Sequence, residues 1–386
     1  MNVNSFLGAH FNINHHAQFY IENFDINKPI NIMHEGFYLS YADTCNVVDF
    51  FNIDDDSGRQ KWIIEECHCH CDSGSKYYIK GVFKRSNYTQ YLGCPNRSGN
   101  VFLYTSKNKY TAWNIIKTEE NCYNIEYAGE KFDINEVSLV VARYMEDIQW
   151  VLAYNDIAIV YNKSSSSHSN EKEKEKEKEL DISFRNVVKL PNVGREGHTY
   201  LSHIIINYDN IISERTIFVQ ASPFEHNPTI LFGIDNHDKH DEVQPLGLQY
   251  LFETNVPPHD VLDKYKVKTD YGLEYLILHC STDLFTEEYS TEFPISFLFD
   301  IQRERYSRDR PLVECFFNRA AFTPVKKQVG SNIRFCFCGL FSVTKNKILK
   351  YDRDAYCRLN DVLLKDFDNR IDGYILEKSW LHIFED

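Results

Sequence analysis

Asn192, Gly194, Arg195, Glu196 and His198 bring an amide, a glycine, a guanidinium, a carboxylate and an imidazole into one turn of chain. They stand in Pro191-Asn-Val-Gly-Arg-Glu-Gly-His198, ahead of a helical run that ends near Asp209. A helix N-terminus presents free N–H groups and a partial positive charge, which suits a phosphate or a carboxylate. Gly194 lets a ligand approach the backbone, and Arg195 adds a two-pronged donor for the same anion. Glu196 and His198 then orient Arg195 or meet hydroxyl groups. The plainer alternative is a capped helix with a surface Arg–Glu pair, which contributes little.

Three further groups of polar residues follow apolar runs. Val137–Ala142, Ile157–Tyr161 and Arg215–Gln220 are β-branched and continuous, as in strands buried on both faces. Strand–helix–strand order around them predicts a parallel α/β unit, whose ligands lie at the carboxyl ends of the strands. The ends here are Arg143-Tyr-Met-Glu-Asp147, Tyr161-Asn-Lys163 and Gln220-Ala-Ser-Pro-Phe-Glu-His226. Arg143 is a candidate for a nucleotide phosphate. Glu146 or Asp147 suits a helix cap, with helix expected from Glu146 to Tyr154. Glu225 and His226 suit a divalent cation, manganese or magnesium, or else simply a polar loop.

Near the C-terminus, Leu376-Glu-Lys-Ser-Trp-Leu-His-Ile-Phe384 predicts a helix that places Glu377 on the side of Trp380 and Phe384. A carboxylate on an apolar face must be paired or functional, because burying it alone is costly. It is a candidate general base, or a salt-bridged glutamate. Two other clusters carry less. Cys67-His-Cys-His-Cys71 puts thiols and imidazoles on opposite faces of a strand, and its spacing is tighter than structural zinc uses. Asn236–Glu242 (NHDKHDE) reads as a solvated loop, with metal binding as the sharper alternative.

The elements before these differ in kind. Residues 1 to about 135 alternate short aromatic and β-branched runs with polar turns, an all-β pattern. The runs repeat: GFYLS, VVDFF, QKWII and YYI recur as QYLG, VFL, TAWNI and CYNI. Trp62 and Trp113 stand about one repeat apart, as do Leu39 and Leu92. Phe6-Leu-Gly8 with Gln18–Ile21 is a shorter third copy. A period of ~40–50 residues with four strands per unit is a repeat architecture. Later, Tyr271–His279 and Arg334–Val343 read as strands and Tyr351–Leu364 as a helix. Ser164–Leu180, with alternating Glu and Lys, reads as a disordered low-complexity insertion.

Composition bounds the partners. The chain has 386 residues, 43% hydrophobic and 15% aromatic, enough for two cores. A formal charge of −14 argues against a general nucleic-acid binder. No stretch approaches the ~18 apolar residues of a membrane span. Eleven cysteines without a secretory leader predict a reduced, cytoplasmic setting. The Asn-, Ile- and Tyr-rich composition fits an AT-rich genome, such as that of a large virus or a protist. If the source is viral, the host cytoplasm or the virion is the setting.

Two resemblances extend this reading. Gln60-Lys-Trp62 and the repeat resemble the β-trefoil of ricin-type lectins, with Thr111-Ala-Trp113 keeping only the tryptophan. LVVARYMEDIQWV, LPNVGREGHTYLSHIIINYDN, TIFVQASPFEH, CGLFSVTKNKIL and LEKSWLHIF together resemble the domain of unknown function 3431, over about residues 137–386. That family looks like a glycosyltransferase of the GT-A type. The expectation is a β-trefoil, residues 1–135, followed by a GT-A-like, Rossmann-like α/β domain, residues 136–386. The resemblance implies a nucleotide-sugar donor, a glycan or glycoprotein acceptor, and a possible manganese or magnesium ion. It implies a pocket from Arg143, Glu146, Asp147, Asn192, Gly194, Arg195 and Glu196, with Glu225 and His226 on the metal and Glu377 and Trp380 on the acceptor side. One departure stands out: GT-A enzymes carry an acidic pair where this chain has Gln220-Ala221-Ser222. Two competitors follow, a lectin-like protein with an inactive transferase scaffold and a metal-assisted hydrolase using Glu225, His226 and the 236–242 cluster.

Overall fold

The computed structural model of the chain describes residues 18–41, 48–67, 76–82, 89–94, 101–105, 107–164, 183–211, 213–248, 266–281, 312–324, 332–336, 339–365 and 370–385. The chain forms two compact units, Met1–Asp133 with Gln149–Asp156, and Ile134–Ile148 with Ile157–Asp386. The Ser164–Leu180 insertion beyond Ser164, and the Cys67–Cys71 cluster beyond Cys67, lie outside the described residues, as does Phe6–Gly8.

Among the described residues, ten strands build the first unit: β1 Gln18–Ile21, β2 Pro29–His34, β3 Phe37–Tyr41, β4 Val48–Phe51, β5 Lys61–Cys67, β6 Lys76–Gly81, β7 Tyr91–Gly93, β8 Phe102–Tyr104, β9 Ala112–Glu119 and β10 Cys122–Tyr127. Alternation drives them inward. Phe19 and Ile21 of β1, and Trp62 and Ile64 of β5, are buried while their neighbours are not. Six strands close a ring by antiparallel pairing in the order β1, β2, β5, β6, β9, β10 and back to β1. Closure leaves the ring no free edge. The β3–β4 hairpin extends from β2, and β7–β8 extends from β6.

The repeat read from the sequence has a physical counterpart inside this barrel. The Trp62 indole N–H donates to the Leu39 carbonyl at 2.8 Å, and the Trp113 indole to the Leu92 carbonyl at 2.7 Å. Both rings are fully buried, so each pins one hairpin against one barrel strand. The trefoil expectation is thus met at the coarser level of a six-stranded barrel carrying two repeated hairpins.

The segment expected as helix from Glu146 is a 3-10 turn, Gln149–Tyr154, and it belongs to the barrel unit. Its aromatic spacing explains this. Tyr154 meets Phe132 and Tyr104 at 5.4 and 6.1 Å between ring centres, and Tyr104 Oη donates to the Ala153 carbonyl.

The second unit is α/β. Its strands are β11 Val137–Arg143, β12 Ala158–Asn162, β13 Val187–Lys189, β14 Arg215–Gln220, β15 Val243–Pro245, β16 Lys266–Lys268, β17 Glu274–Ser281, β18 Asn332–Cys336 and β19 Phe341–Thr344. The main sheet runs β13-β12-β11-β14-β19-β15. Its first four strands are parallel, and β19 is antiparallel to both neighbours. The sheet is therefore mixed rather than wholly parallel. A smaller antiparallel sheet runs β16-β17-β18, and the Leu276 N–H of β17 donates to the Gly247 carbonyl just after β15. Among the described residues the α-helices are α1 Arg195–Asn207, α2 Ile230–Asp235, α3 Leu312–Arg319, α4 Lys345–Ile348, α5 Arg353–Lys365 and α6 Arg370–Phe384.

β11 and β14 are almost wholly buried, as their uninterrupted apolar runs require. After β11 the chain adds β12 and β13 on one side, then returns through α1 to place β14 on the other. This reversal makes a topological switch point at the carboxyl ends of β11 and β14, the favoured ligand position in open α/β sheets. The single strand expected over Arg334–Val343 is two strands in different sheets. Gly339 divides them, with a left-handed φ of 62° that turns the chain. No helix among the described residues is long and apolar enough to cross a membrane.

Candidate functional site

The turn into α1 is built on two successive left-handed residues, Gly194 at φ 59° and Arg195 at φ 51°. Glycine adopts this without cost, but arginine does so at roughly 1 kcal/mol or more. Gly194 also has no room for a side chain. A Cβ there would lie 2.8 Å from His198 Cβ and 3.2 Å from Leu363 Cβ of α5. The glycine expected to face a ligand thus packs against protein, and the first turn of α1 is buried, not open.

The turn aims Arg195 across α6. Its guanidinium lies over the Tyr374 ring at 3.9 Å. Nε is 3.5 Å from Glu196 Oε2, and Nη2 is 3.7 Å from Glu377 Oε2. Arg195 passes over Gly373, where a Cβ would make ordinary contact with Arg195 Cδ at 3.4 Å. Both carboxylates are buried, at 8% and 6% exposure, while Arg195 is half-buried. One guanidinium thus serves two buried acids. The Glu196 carboxyl is raised to about 7: burial pushes it up, Arg195 pulls it down, and Glu377 pushes it up further. Burial works against the charge on Arg195, but Glu196, Glu377 and Tyr374 outweigh it and raise its pKa.

Trp380 completes this face of α6. It is fully buried, its ring packs on Phe341 and Phe384, and its indole N–H meets no acceptor among the described residues. Gly339 faces the same group: a Cβ there would sit 3.5 Å from Glu377 Cγ, 3.8 Å from Glu196 Cγ and 3.8 Å from Trp380 Cδ1. Glu377, Trp380, Arg195 and Glu196 are therefore one cluster, assembled from two helices and the Gly339 turn.

The other sequence candidates lie at the carboxyl edge in differing roles. Arg143 is buried, donating to Asn162 Oδ1 at 3.0 Å and to the Glu146 carbonyl at 2.9 Å. The Glu146 carboxylate accepts from the backbone N–H groups of Tyr144 and Met145, so it organises this loop. Asp147 and Asn192 are exposed. Glu225 is exposed and His226 partly buried. Burial lowers the His226 pKa, the charges of Glu377 and Glu225 oppose that, and Arg195 adds to it. His226 is thus within electrostatic reach of the Arg195–Glu377 pair. Among the described residues no three His, Cys, Asp or Glu side chains converge as a metal site. The 236–242 cluster is not a solvated loop throughout: Asn236, His237 and His240 are buried, and the Arg215 guanidinium holds the carbonyls of His240 and Asp241.

Sequence reasoning named no role for Lys163, at the end of β12. It is buried, and its ammonium donates to the Val193 carbonyl at 2.7 Å and to the Arg195 carbonyl. Its signal was weak because a lysine after a strand ordinarily reads as solvated. His203, beneath the sheet, meets Tyr161 Oη at 3.1 Å, and burial lowers its pKa to about 4.

Fold and site together define an α/β unit with a buried carboxylate pair and a shared guanidinium near the carboxyl edge of its sheet. A family model described as protein of unknown function (DUF3431) matches residues 273–386. That stretch holds Glu377, Trp380 and Gly339 but neither Arg195 nor Arg143, and it is shorter than the resemblance read over 137–386. No curated protein matches the chain.

Proposed function

We propose that the second unit is a GT-A-like glycosyltransferase domain that moves a sugar from a nucleotide-sugar donor to a hydroxyl of a glycan or protein. The supporting observation is the Glu196–Glu377 pair around Arg195, two buried acids with one counter-charge, tied through Lys163 to the end of a parallel strand. Two buried acids share one cation there, and Glu377 is the one we assign to take the acceptor proton. In the reaction the acceptor oxygen bonds to the anomeric carbon as the bond from that carbon to the donor phosphate breaks. The acceptor proton passes to Glu377, and the nucleotide diphosphate leaves with the bonding electrons. Arg195, with Arg143 at the strand end, meets the leaving charge.

Glu225 and His226 would supply one carboxylate and one imidazole to a manganese ion, whose chemistry would be charge neutralisation at the diphosphate. Such ions often take only one or two protein carboxylates beside substrate phosphates. For the barrel we infer a β-trefoil that binds the glycan acceptor and raises its effective concentration. Support for this comes from the paired Trp62–Leu39 and Trp113–Leu92 bonds.

The test is nucleotide release from a panel of UDP- and GDP-sugars, with and without manganese. Release from one donor class is expected. A second reading has its own support. Gln220-Ala221-Ser222 lacks an acidic pair, and an Arg195 stacked on Tyr374 also locks α1 to α6. That reading is a lectin-like protein, and glycan binding without turnover of any donor would favour it.

A further inference from the structure

The buried ammonium of Lys163 spans a single residue. Its two acceptors are the carbonyls of Val193 and Arg195, with Gly194 between them. Two carbonyls two residues apart converge on one cation here because Gly194 and Arg195 are both left-handed. Lys163 itself is fixed from the other side, its backbone N–H donating to the Arg143 carbonyl at 2.8 Å. One side chain therefore ties the ends of β11 and β12 to the strained entry of α1.

Strain at Arg195 must be held by its surroundings. On the side-chain face of this turn are Tyr374, closely stacked, and Glu196 and Glu377 at the long ionic distances of 3.5 and 3.7 Å, which a small backbone rotation would change. On the backbone face is Lys163. The charges around Lys163 agree with this: Glu196 favours its ammonium, while burial, the larger effect, lowers its pKa to about 8. A lysine serving only to fill space would be replaceable by an apolar chain of the same length.

We infer that Lys163 is a positioning residue for this cluster: it clamps the Gly194–Arg195 turn and so sets where the Arg195 guanidinium meets Glu196 and Glu377. This holds whatever reaction the site performs, and the test does not depend on transferase activity. The carboxyl carbons of glutamate are labelled with carbon-13 and Glu196 is titrated by NMR in the wild type, Lys163→Met and Lys163→Gln. Glu196→Gln assigns the signal.

With the clamp gone, Arg195 withdraws and the Glu196 midpoint rises by about one pH unit or more. Lys163→Arg, which keeps a buried cation with donors, restores it in part. Loss of the Lys163 charge alone would also raise the midpoint, so the Arg195 Nε–H signal is read in the same samples. The inference expects it to shift and to lose protection from exchange. An unchanged Glu196 midpoint in a folded Lys163→Met protein would overturn the inference. So would a raised midpoint with an unmoved Arg195 signal. Failure of both neutral variants to fold would also count against it, since Lys163 would then serve the sheet rather than the aim of Arg195.

Discussion

The guanidinium of Arg195 lies 3.7 Å from the carboxylate of Glu377, joining the start of α1 to the middle of α6. The same guanidinium serves Glu196 and stacks on Tyr374. Lysine cannot reproduce a flat cation that meets two acids and a ring together. Arg195→Lys is therefore expected to behave as a loss. The Glu196 titration should move upward in the folded variant, and any nucleotide release should fall by about tenfold or more. NMR titration and a release assay on the same preparation check both.

Glu196 makes a prediction about pH. Its folded value of about 7 exceeds the ordinary 4.5. Between those values the folded state binds more protons than the unfolded state, so this group's contribution is full below about 4.5 and is lost as pH rises through 7. His198 and His203 act in the opposite sense. Their folded values, near 4, lie below the ordinary 6.5, so their contribution is lost as pH falls from 6.5 toward 4. Those histidines cancel in a comparison with Glu196→Gln. The variant's advantage in stability should grow from pH 5 to 7.5, by on the order of 2 kcal/mol. Thermal melts across that range measure it, and a constant difference would contradict the assigned burial.

Gly194→Ala tests the turn itself. A Cβ at φ 59° is strained, and this one would also press on His198 and Leu363. The expected cost is about 2 kcal/mol. A melting temperature equal to the wild type would mean the turn is not held as described.

In the barrel, Trp62→Phe and Trp113→Phe each remove an indole donor and leave the carbonyl of Leu39 or Leu92 buried without it. Each should cost roughly 1–3 kcal/mol. The two losses should be similar, because the two bonds are equivalent in the repeat. Denaturation followed by near-UV circular dichroism distinguishes this from a loss at only one site.

The barrel strands were legible because residues such as Phe19, Ile21, Trp62 and Ile64 alternate with polar neighbours, and alternation has one meaning in a half-buried strand. The helix carrying Glu377 was legible for the same kind of reason, with Trp380 and Phe384 at helical spacing. What the pattern did not contain was pairing at a distance. Nothing local shows that Tyr154 packs with Phe132 in the barrel unit. Nor does anything local show that Gly194 serves packing on Leu363, or that Lys163 turns inward onto Val193 and Arg195. His237 and His240 looked solvated because charged neighbours surround them in sequence, whereas tertiary contacts bury them. Glycine and lysine are ambiguous in this way because their roles depend on what approaches them.

The most direct measurement is nucleotide release by wild type and Glu377→Gln across the UDP- and GDP-sugar panel. Glutamine keeps the shape of the buried side chain but cannot take the acceptor proton. The account predicts release from one donor class by the wild type, falling about 10²- to 10⁴-fold in the variant at unchanged melting temperature. Equal release by both proteins, or none by the wild type from any donor, would contradict it.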